Sequence, residues 1–337
     1  MTVLQGGSKK FFLVGGAGFI GSHFVDALLQ DLEGSQVAGQ VTVYDNFSSG
    51  REWHYQQHSN HLRFKVIRGD AKDLPFLTDC MVGHSDVIHL ASNPDIARAA
   101  VEPDIDFREG TVLTQNVLEA MRRSKTRRIL YASGSGVYGD LAETEAMEDF
   151  GPKTPVSTYG ASKLAGEVLI SSYCSMFGMV GRAFRFGNVV GPRQTHGVGF
   201  DFVRRLLTDC SCLRILGDGK QSKSYIHVKD IVSAVRLADQ VAGENPQKPF
   251  EVYNVATGDY ITVREIADLA LECLDLKPSQ VAYQFTGGDR GWKGDIPIVR
   301  LNTDRIQKLG WTCKRSTREA LKESLLALIA EARKGRL

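Results

Sequence analysis

At 337 residues the chain is too long for one small-core domain and short for three, which fits one large α/β domain with a smaller lobe. Hydrophobic residues make up 42% and charged residues 24%, an ordinary globular balance. The net charge of +2 argues for neither a nucleic-acid footprint nor a polyacidic partner, so no nucleic acid is expected, though local basic groups could hold one phosphorylated ligand. Met1–Lys10 carries no apolar core of signal-peptide length, and no stretch approaches the roughly 18 apolar residues that cross a bilayer. No membrane association and a cytoplasmic location are therefore expected. The six cysteines are scattered, and Cys210-Ser211-Cys212 lacks a second half-site, so reduced structural thiols and no metal are expected.

In chain order, Phe11-Phe12-Leu13-Val14 is a short apolar run ending in glycines, the pattern of a buried parallel strand. Phe19 to Leu32 has helix-spaced apolar residues. Further strands are expected at Val41–Tyr44, Phe64–Ile67, Val87–Leu90 and Arg128–Tyr131, with helices at Leu113–Met121 and Gly160–Phe177, the second closed by Gly178. Strands alternating with helices predict right-handed crossovers and a doubly wound parallel sheet. Beyond about Asn188 the rhythm breaks into glycine-rich loops, where a substrate lobe is expected. Val252–Val255 reads as one more sheet strand and blurs that boundary.

Gly15-Gly16-Ala17-Gly18-Phe19-Ile20-Gly21 follows an apolar strand and opens a helix. Such a turn lets backbone approach a pyrophosphate, whose charge then meets the amides of the helix N-terminus. Gly15, Gly18, Phe19, Ile20 and Gly21 are the candidate contacts. Asp45 ends the second strand, where a carboxylate accepts hydrogen bonds from ribose hydroxyls and repels a 2′-phosphate. NAD is therefore the expected cofactor, with Arg51 nearby as the one feature favouring NADP. Asn46 adjoins Asp45. Asp70 and Ala71 follow the third strand, where an acid can meet an adenine amino group. Leu90-Ala91-Ser92 closes the fourth with small residues against which a cofactor can lie.

Tyr159 and Lys163 stand four apart on one helix face. A free phenol has a pKa of ~10, and a neighbouring ammonium or nicotinamide cation favours its ionised form. This pair can therefore take a proton from an alcohol, with Ser133 and Ser135 as candidate hydroxyls just upstream.

The segments GGAGFIGSH, YDNFSSG, HLAS, YASGSGVYGD, STYGASK, RFGNVVGPR, GDGKQSKSYIHVKD and the closing GWKGD…LGW resemble the extended short-chain dehydrogenase/reductase family. The likeness is to its nucleotide-sugar epimerases and dehydratases, the UDP-glucose 4-epimerases in particular, from about Lys10 to Trp311. It implies a Rossmann sheet with a smaller C-terminal lobe. Residues 1–187, with a returning segment at about 225–260, would hold NAD. Residues 188–224 and 261–337 would hold a nucleoside diphosphate sugar, by default a UDP-sugar. By the same resemblance Tyr159 is the base and Lys163 binds the nicotinamide ribose. Asn188, Lys223 and Arg290 face the diphosphate, Asp295 meets the nucleotide, and two copies form a homodimer through the helices at 113–121 and 160–177.

Three departures bear on the reaction. Where the family has Ser or Thr three residues before the Val of V-Y-G, this chain has Gly134. Ser135-Gly136 occupies the place of the dehydratases' Asp-Glu pair, and the turn holds neither the decarboxylases' Glu nor the 3,5-epimerases' Cys. Lys223 replaces the usual arginine, keeping charge but losing the two-pronged fork. Simple removal and return of hydride, a 4-epimerase, is the expectation. A net 4-dehydrogenase or reductase shares every motif, and a non-catalytic NAD-binding scaffold remains a reading of another class, for which Gly134 is the only support. Asn93-Pro94-Asp95 with Arg98 could face the sugar or simply start a helix, and His227 could line the lobe interface or be a structural histidine.

Overall fold

A computed structural model describes residues 8–30, 38–241 and 247–337. Its centre is a seven-stranded sheet of β1 (Lys10–Val14), β2 (Gln40–Asp45), β3 (Phe64–Arg68), β4 (Asp86–His89), β5 (Arg128–Gly134), β6 (Val180–Phe186) and β11 (Phe250–Val255). Their spatial order is β11-β6-β5-β4-β1-β2-β3, and every pairing is parallel. The order reverses between β1 and β4, where a crevice opens at the carboxyl ends of the strands. This is the doubly wound Rossmann sheet.

Alternation along the strands sends side chains to two cores. Phe11 and Leu13 of β1 pack with α1 (Phe19–Leu29) and α6 (Val228–Val241). Phe12 and Val14 point the other way, onto α2 (Leu74–Met81), α3 (Val112–Ser124) and α4 (Thr158–Phe177). Each buried Phe or Leu is worth roughly 1.5–3 kcal/mol, so a sheet covered on both faces needs near-continuous apolar strands. That requirement explains why β1 reads as an unbroken run.

The remaining chain builds a third core. Phe202 and Val203 of α5 (Val198–Thr208), Ile266 and Leu269 of α7 (Val263–Cys273), and Leu321 and Leu325 of α9 (Thr317–Arg333) are fully or almost fully buried together. Beside them lie β8 (Cys212–Ile215) and β13 (Ala282–Phe285), which pair in parallel. Two short pairings continue the lobe, β7 (Asn188–Val190) with β10 (Tyr225–His227) and β9 (Ser222–Lys223) with β12 (Ile261–Thr262). The chain also holds the four-residue α8 (Asp304–Gln307).

α4 starts with the Ser157 hydroxyl accepting from the Gly160 amide and stops at Gly178, whose φ of 65° suits glycine. The helix expected to reach Leu32 leaves helical geometry at Gln30, and Asp31 and Leu32 lie outside the described residues. Among the described residues no helix is long and apolar enough to cross a membrane. The six cysteines are unpaired, and no described group of His, Cys, Asp and Glu could hold a metal ion.

Candidate active site

The glycine turn lies between β1 and α1, at the reversal point of the sheet. Gly15 has φ +81°, and a Cβ there would stand 2.7 Å from the Ala91 amide nitrogen. At Gly21 a Cβ would meet the Gly16 Cα at 2.6 Å. Only glycine lets the turn close against the end of β4 and let α1 begin beside it. Gly18 caps α1 without any side-chain hydrogen bond. The first-turn amides of Phe19, Ile20 and Gly21 therefore lack intrahelical acceptors and can receive an anion.

Asp45 is drawn into the same place. Its carboxylate accepts from the Ala17 amide at 2.9 Å and the Phe47 amide at 2.8 Å. Burial raises its pKa, and these two amides work against the rise. Asn46 donates to the Asp70 carboxylate at 3.3 Å, while Tyr44 donates to the Asp70 carbonyl at 2.9 Å. Ala71 is buried behind them. Leu90 and Ala91 both donate to the carbonyl of Val14 at 2.9 and 3.0 Å, which pins the end of β4 to the glycine turn. The expected cofactor residues thus line one carboxyl edge, from β3 through β2 and β1 to β4. An uncapped helix start beside a buried ribose-type acid fits a dinucleotide.

Across that edge, Lys163 is buried and donates to the Ala132 carbonyl of β5 at 2.8 Å. Its ammonium stands 5.5 Å from the Tyr159 ring centre and 5.2 Å from that of Tyr131. Burial lowers Lys163 to about 8, opposed by the charge of Asp106. Burial raises Tyr159 to about 12; a hydrogen bond from Ser92 opposes the rise and Asp106 adds to it. The signs agree, because a buried anion penalises a phenolate and favours an ammonium.

Asp106 was not singled out in the sequence. It is 1% exposed and accepts from Asn93 at 2.8 Å and Thr158 at 2.6 Å. Asn93 is therefore a buried structural amide rather than a sugar contact. The Ile96–Ala100 segment after it, which includes Arg98, is a short 3-10 helix.

The two candidate serines separate. Ser133 is buried, its hydroxyl donating to Glu167 at 2.6 Å, and Glu167 also receives two bonds from the Arg185 guanidinium at 2.9 and 2.6 Å. That commitment removes Ser133 from the list of free hydroxyls. Ser135 opens the short 3-10 helix Ser135–Tyr138 and is half-buried. A Cβ at Gly134 would meet no atom within 4 Å.

In the lobe, Lys223 pairs with Asp295 at 2.5 Å, and the other Asp295 oxygen accepts from the Gly291 amide at 3.0 Å. Arg290 donates to the Asp295 carbonyl and to Asp140 at 2.6 Å. Lys223, Arg290 and Asp295 thus form one network, with Asp140 as a member that sequence reasoning missed. Asn188 is exposed on β7, bonded to the Ser224 carbonyl at 3.3 Å. His227 is buried, 3.3 Å from Glu323 of α9, with burial lowering its pKa to about 4. Its Nδ1 accepts from the Lys229 amide at 3.2 Å.

The model of the NAD dependent epimerase/dehydratase family matches residues 11–256, more than half of the chain. The chain belongs to that family. Its cofactor is NAD and it is an enzyme of the epimerase/dehydratase type. Relatives of equal identity carry both kinds of name. A dTDP-glucose 4,6-dehydratase of Actinoplanes sp. is 32% identical, over 86% of this chain and 90% of that one. A UDP-glucose 4-epimerase of Mycolicibacterium smegmatis is also 32% identical, over 90% and 93%. A solved UDP-galactose 4-epimerase has 34% identity and a TM-score of 0.82, with 96% of this chain and 99% of that one covered.

Proposed function

We propose that this family member interconverts epimers at C4 of a nucleoside diphosphate sugar, by default a UDP-sugar. In this reading the Gly15–Gly21 turn and Asp45 would hold NAD, which would supply the acceptor for the C4 hydride and its source on return. Tyr159 takes the proton of the 4-hydroxyl and returns it to the epimer. Lys163, tied to Ala132, holds positive charge beside the phenol and binds the nicotinamide ribose. Residues 1–187 with the return at 225–260 serve NAD, while 188–224 and 261–337 serve the sugar nucleotide. Asn188, Lys223 and Arg290 receive the diphosphate, and Asp295 receives the nucleotide. Lys223 and Arg290 are balanced in this structure by Asp295 and Asp140, so diphosphate binding exchanges those partners for phosphate oxygens.

The observation that carries the reading is the Tyr159–Lys163 pair next to a turn with no acid in it. Identity alone does not choose, since a dehydratase matches as well as an epimerase. Elimination of water needs an added acid and base. Here the corresponding positions are Ser135 and Gly136, and Asp106, whose charge reaches Tyr159, is committed to Asn93 and Thr158. The test is product analysis on UDP-glucose, UDP-galactose, UDP-N-acetylglucosamine, UDP-glucuronate and dTDP-glucose. A 4-epimer without accumulating NADH is expected; steady NADH build-up would point to the dehydrogenase, and a product lacking water to the dehydratase.

We also propose a homodimer through α3 and α4. Phe107, just before α3, and Val168, Met176 and Phe177 of α4 are exposed apolar side chains that such a contact would cover. Light scattering should give twice the monomer mass, and a monomer at working concentration would dismiss the pairing.

A further inference from the structure

The loop between β7 and α5 carries a residue in a costly backbone conformation. Arg193 has φ +68°, left-handed geometry that a long side chain rarely adopts. Its side chain is only 14% exposed. One guanidinium nitrogen donates to the His54 carbonyl at 2.6 Å. Another meets the Asp26 carboxylate and donates to His23 Nδ1 at 3.0 Å, both residues of α1. His23 in turn donates from Nε2 to the Pro192 carbonyl at 2.9 Å. Gln194, the next residue, bonds to the lobe instead, its side-chain oxygen accepting from the Ser324 hydroxyl of α9 at 2.8 Å. Adjacent side chains of this loop thus grip opposite halves of the molecule.

The grip of Arg193 leads to the cofactor turn. His54, whose carbonyl it holds, is fully buried, and its Nδ1 donates to the Ala17 carbonyl at 2.8 Å. The Arg51 amide donates to the same oxygen at 3.1 Å. The Ala17 amide donates to Asp45 at 2.9 Å. Both backbone polar groups of the residue in the middle of the glycine turn are therefore tied to the 45–54 segment. Asp26 also accepts from Gln57 at 2.8 Å and His58 at 2.7 Å, which fastens the stretch after His54 to α1. Amides held in place before the ligand arrives bind a pyrophosphate more tightly than amides that must first be ordered.

We infer that Arg193, although it lies on the loop that enters the lobe, is a positioning residue for the NAD site: it fixes His54, and His54 fixes the Ala17 peptide of the glycine turn. The inference rests on that turn as the seat of the NAD pyrophosphate. The three partners of the guanidinium, one of them a carboxylate, offset the strain of the left-handed backbone.

The test follows NAD leaving the protein, so it needs no identified sugar. Labelled NAD is loaded on the full chain and chased with an excess of unlabelled NAD. Arg193→Gln should speed its release about tenfold, the low end for a hydrogen bond from a charged group. Arg193→Gly should do the same. Because glycine accepts φ +68° without strain, its thermal midpoint should stay above that of Arg193→Ala. His54→Phe should speed release to a similar degree, and joining it to Arg193→Gln should add little. Gln194→Ala, which loosens the same loop on its lobe side, should leave release as it is. Unchanged release in both Arg193→Gln and Arg193→Gly, equal acceleration in Gln194→Ala, or effects that multiply in the double variant overturn the inference. Asp45→Asn tests the reading beneath it. If that change speeds release while the Arg193 variants do not, the turn stands and only this inference falls; if it too leaves release unaltered, the turn is not the NAD site and both fall.

Discussion

Tyr159→Phe lowers turnover by about two to four orders of magnitude, the usual contribution of a positioned acid–base group. The ring keeps its packing, so folding and NAD binding should persist, as read by circular dichroism and by the NAD retained on purification. The effect should fall on kcat more than on KM, because the phenol acts on the proton in flight rather than on the diphosphate. Burial holds the unliganded phenol near 12, so the pair is protonated at neutral pH until positive charge arrives beside it. Activity should therefore rise with pH on the acidic limb as the liganded phenol ionises. Lys163, lowered to about 8 by burial against the opposing charge of Asp106, loses its charge above that value unless the phenolate retains it. A Tyr159→Phe enzyme with near-normal turnover would remove the tyrosine from the chemistry.

Glu167→Ala should be the most damaging single change to the fold near the site, at about 3–5 kcal/mol. The Arg185 and Glu167 side chains are 3% and 4% exposed and meet through two bonds, while Arg185 also donates to the Tyr138 hydroxyl and the Glu148 carbonyl. Removing the acid leaves a guanidinium buried without its counter-charge and releases Ser133 as well. Denaturant unfolding measures the loss. Glu167→Ala combined with Arg185→Met should be less destabilised than Glu167→Ala alone, since the stranded charge goes with it. A loss under about 1 kcal/mol for Glu167→Ala would mean that water reaches Arg185.

The features legible in the sequence are those whose physics is local. The glycine turn shows because positive φ and close approach exclude every side chain at Gly15. The β1 run shows because a strand buried on both faces has no polar side. Tyr159 and Lys163 show through helix spacing, and the end of α4 through Gly178. What was hidden depends on partners far apart in the chain. Asp106 meets Asn93 13 residues away and Thr158 52 away, from the cap of the helical turn Phe107–Thr111 that leads into α3. Asp140 meets Arg290 across 150 residues. Ser133 and Ser135 flank the same glycine, Gly134, and only the Arg185–Glu167 pair that claims the Ser133 hydroxyl separates them. Arg185 is one of two buried arginines in the otherwise apolar strand β6, and a buried charge of that kind calls for a partner.

In the proposed epimerisation hydride leaves C4 and returns to C4 of the same sugar, with no C–O or C–C bond of the sugar broken. The direct measurement is proton NMR of the purified protein with each sugar nucleotide in deuterated water. The expected product is a 4-epimer with no deuterium on the sugar carbons. Loss of water with deuterium appearing at C5, or a keto sugar released with stoichiometric NADH, would contradict it.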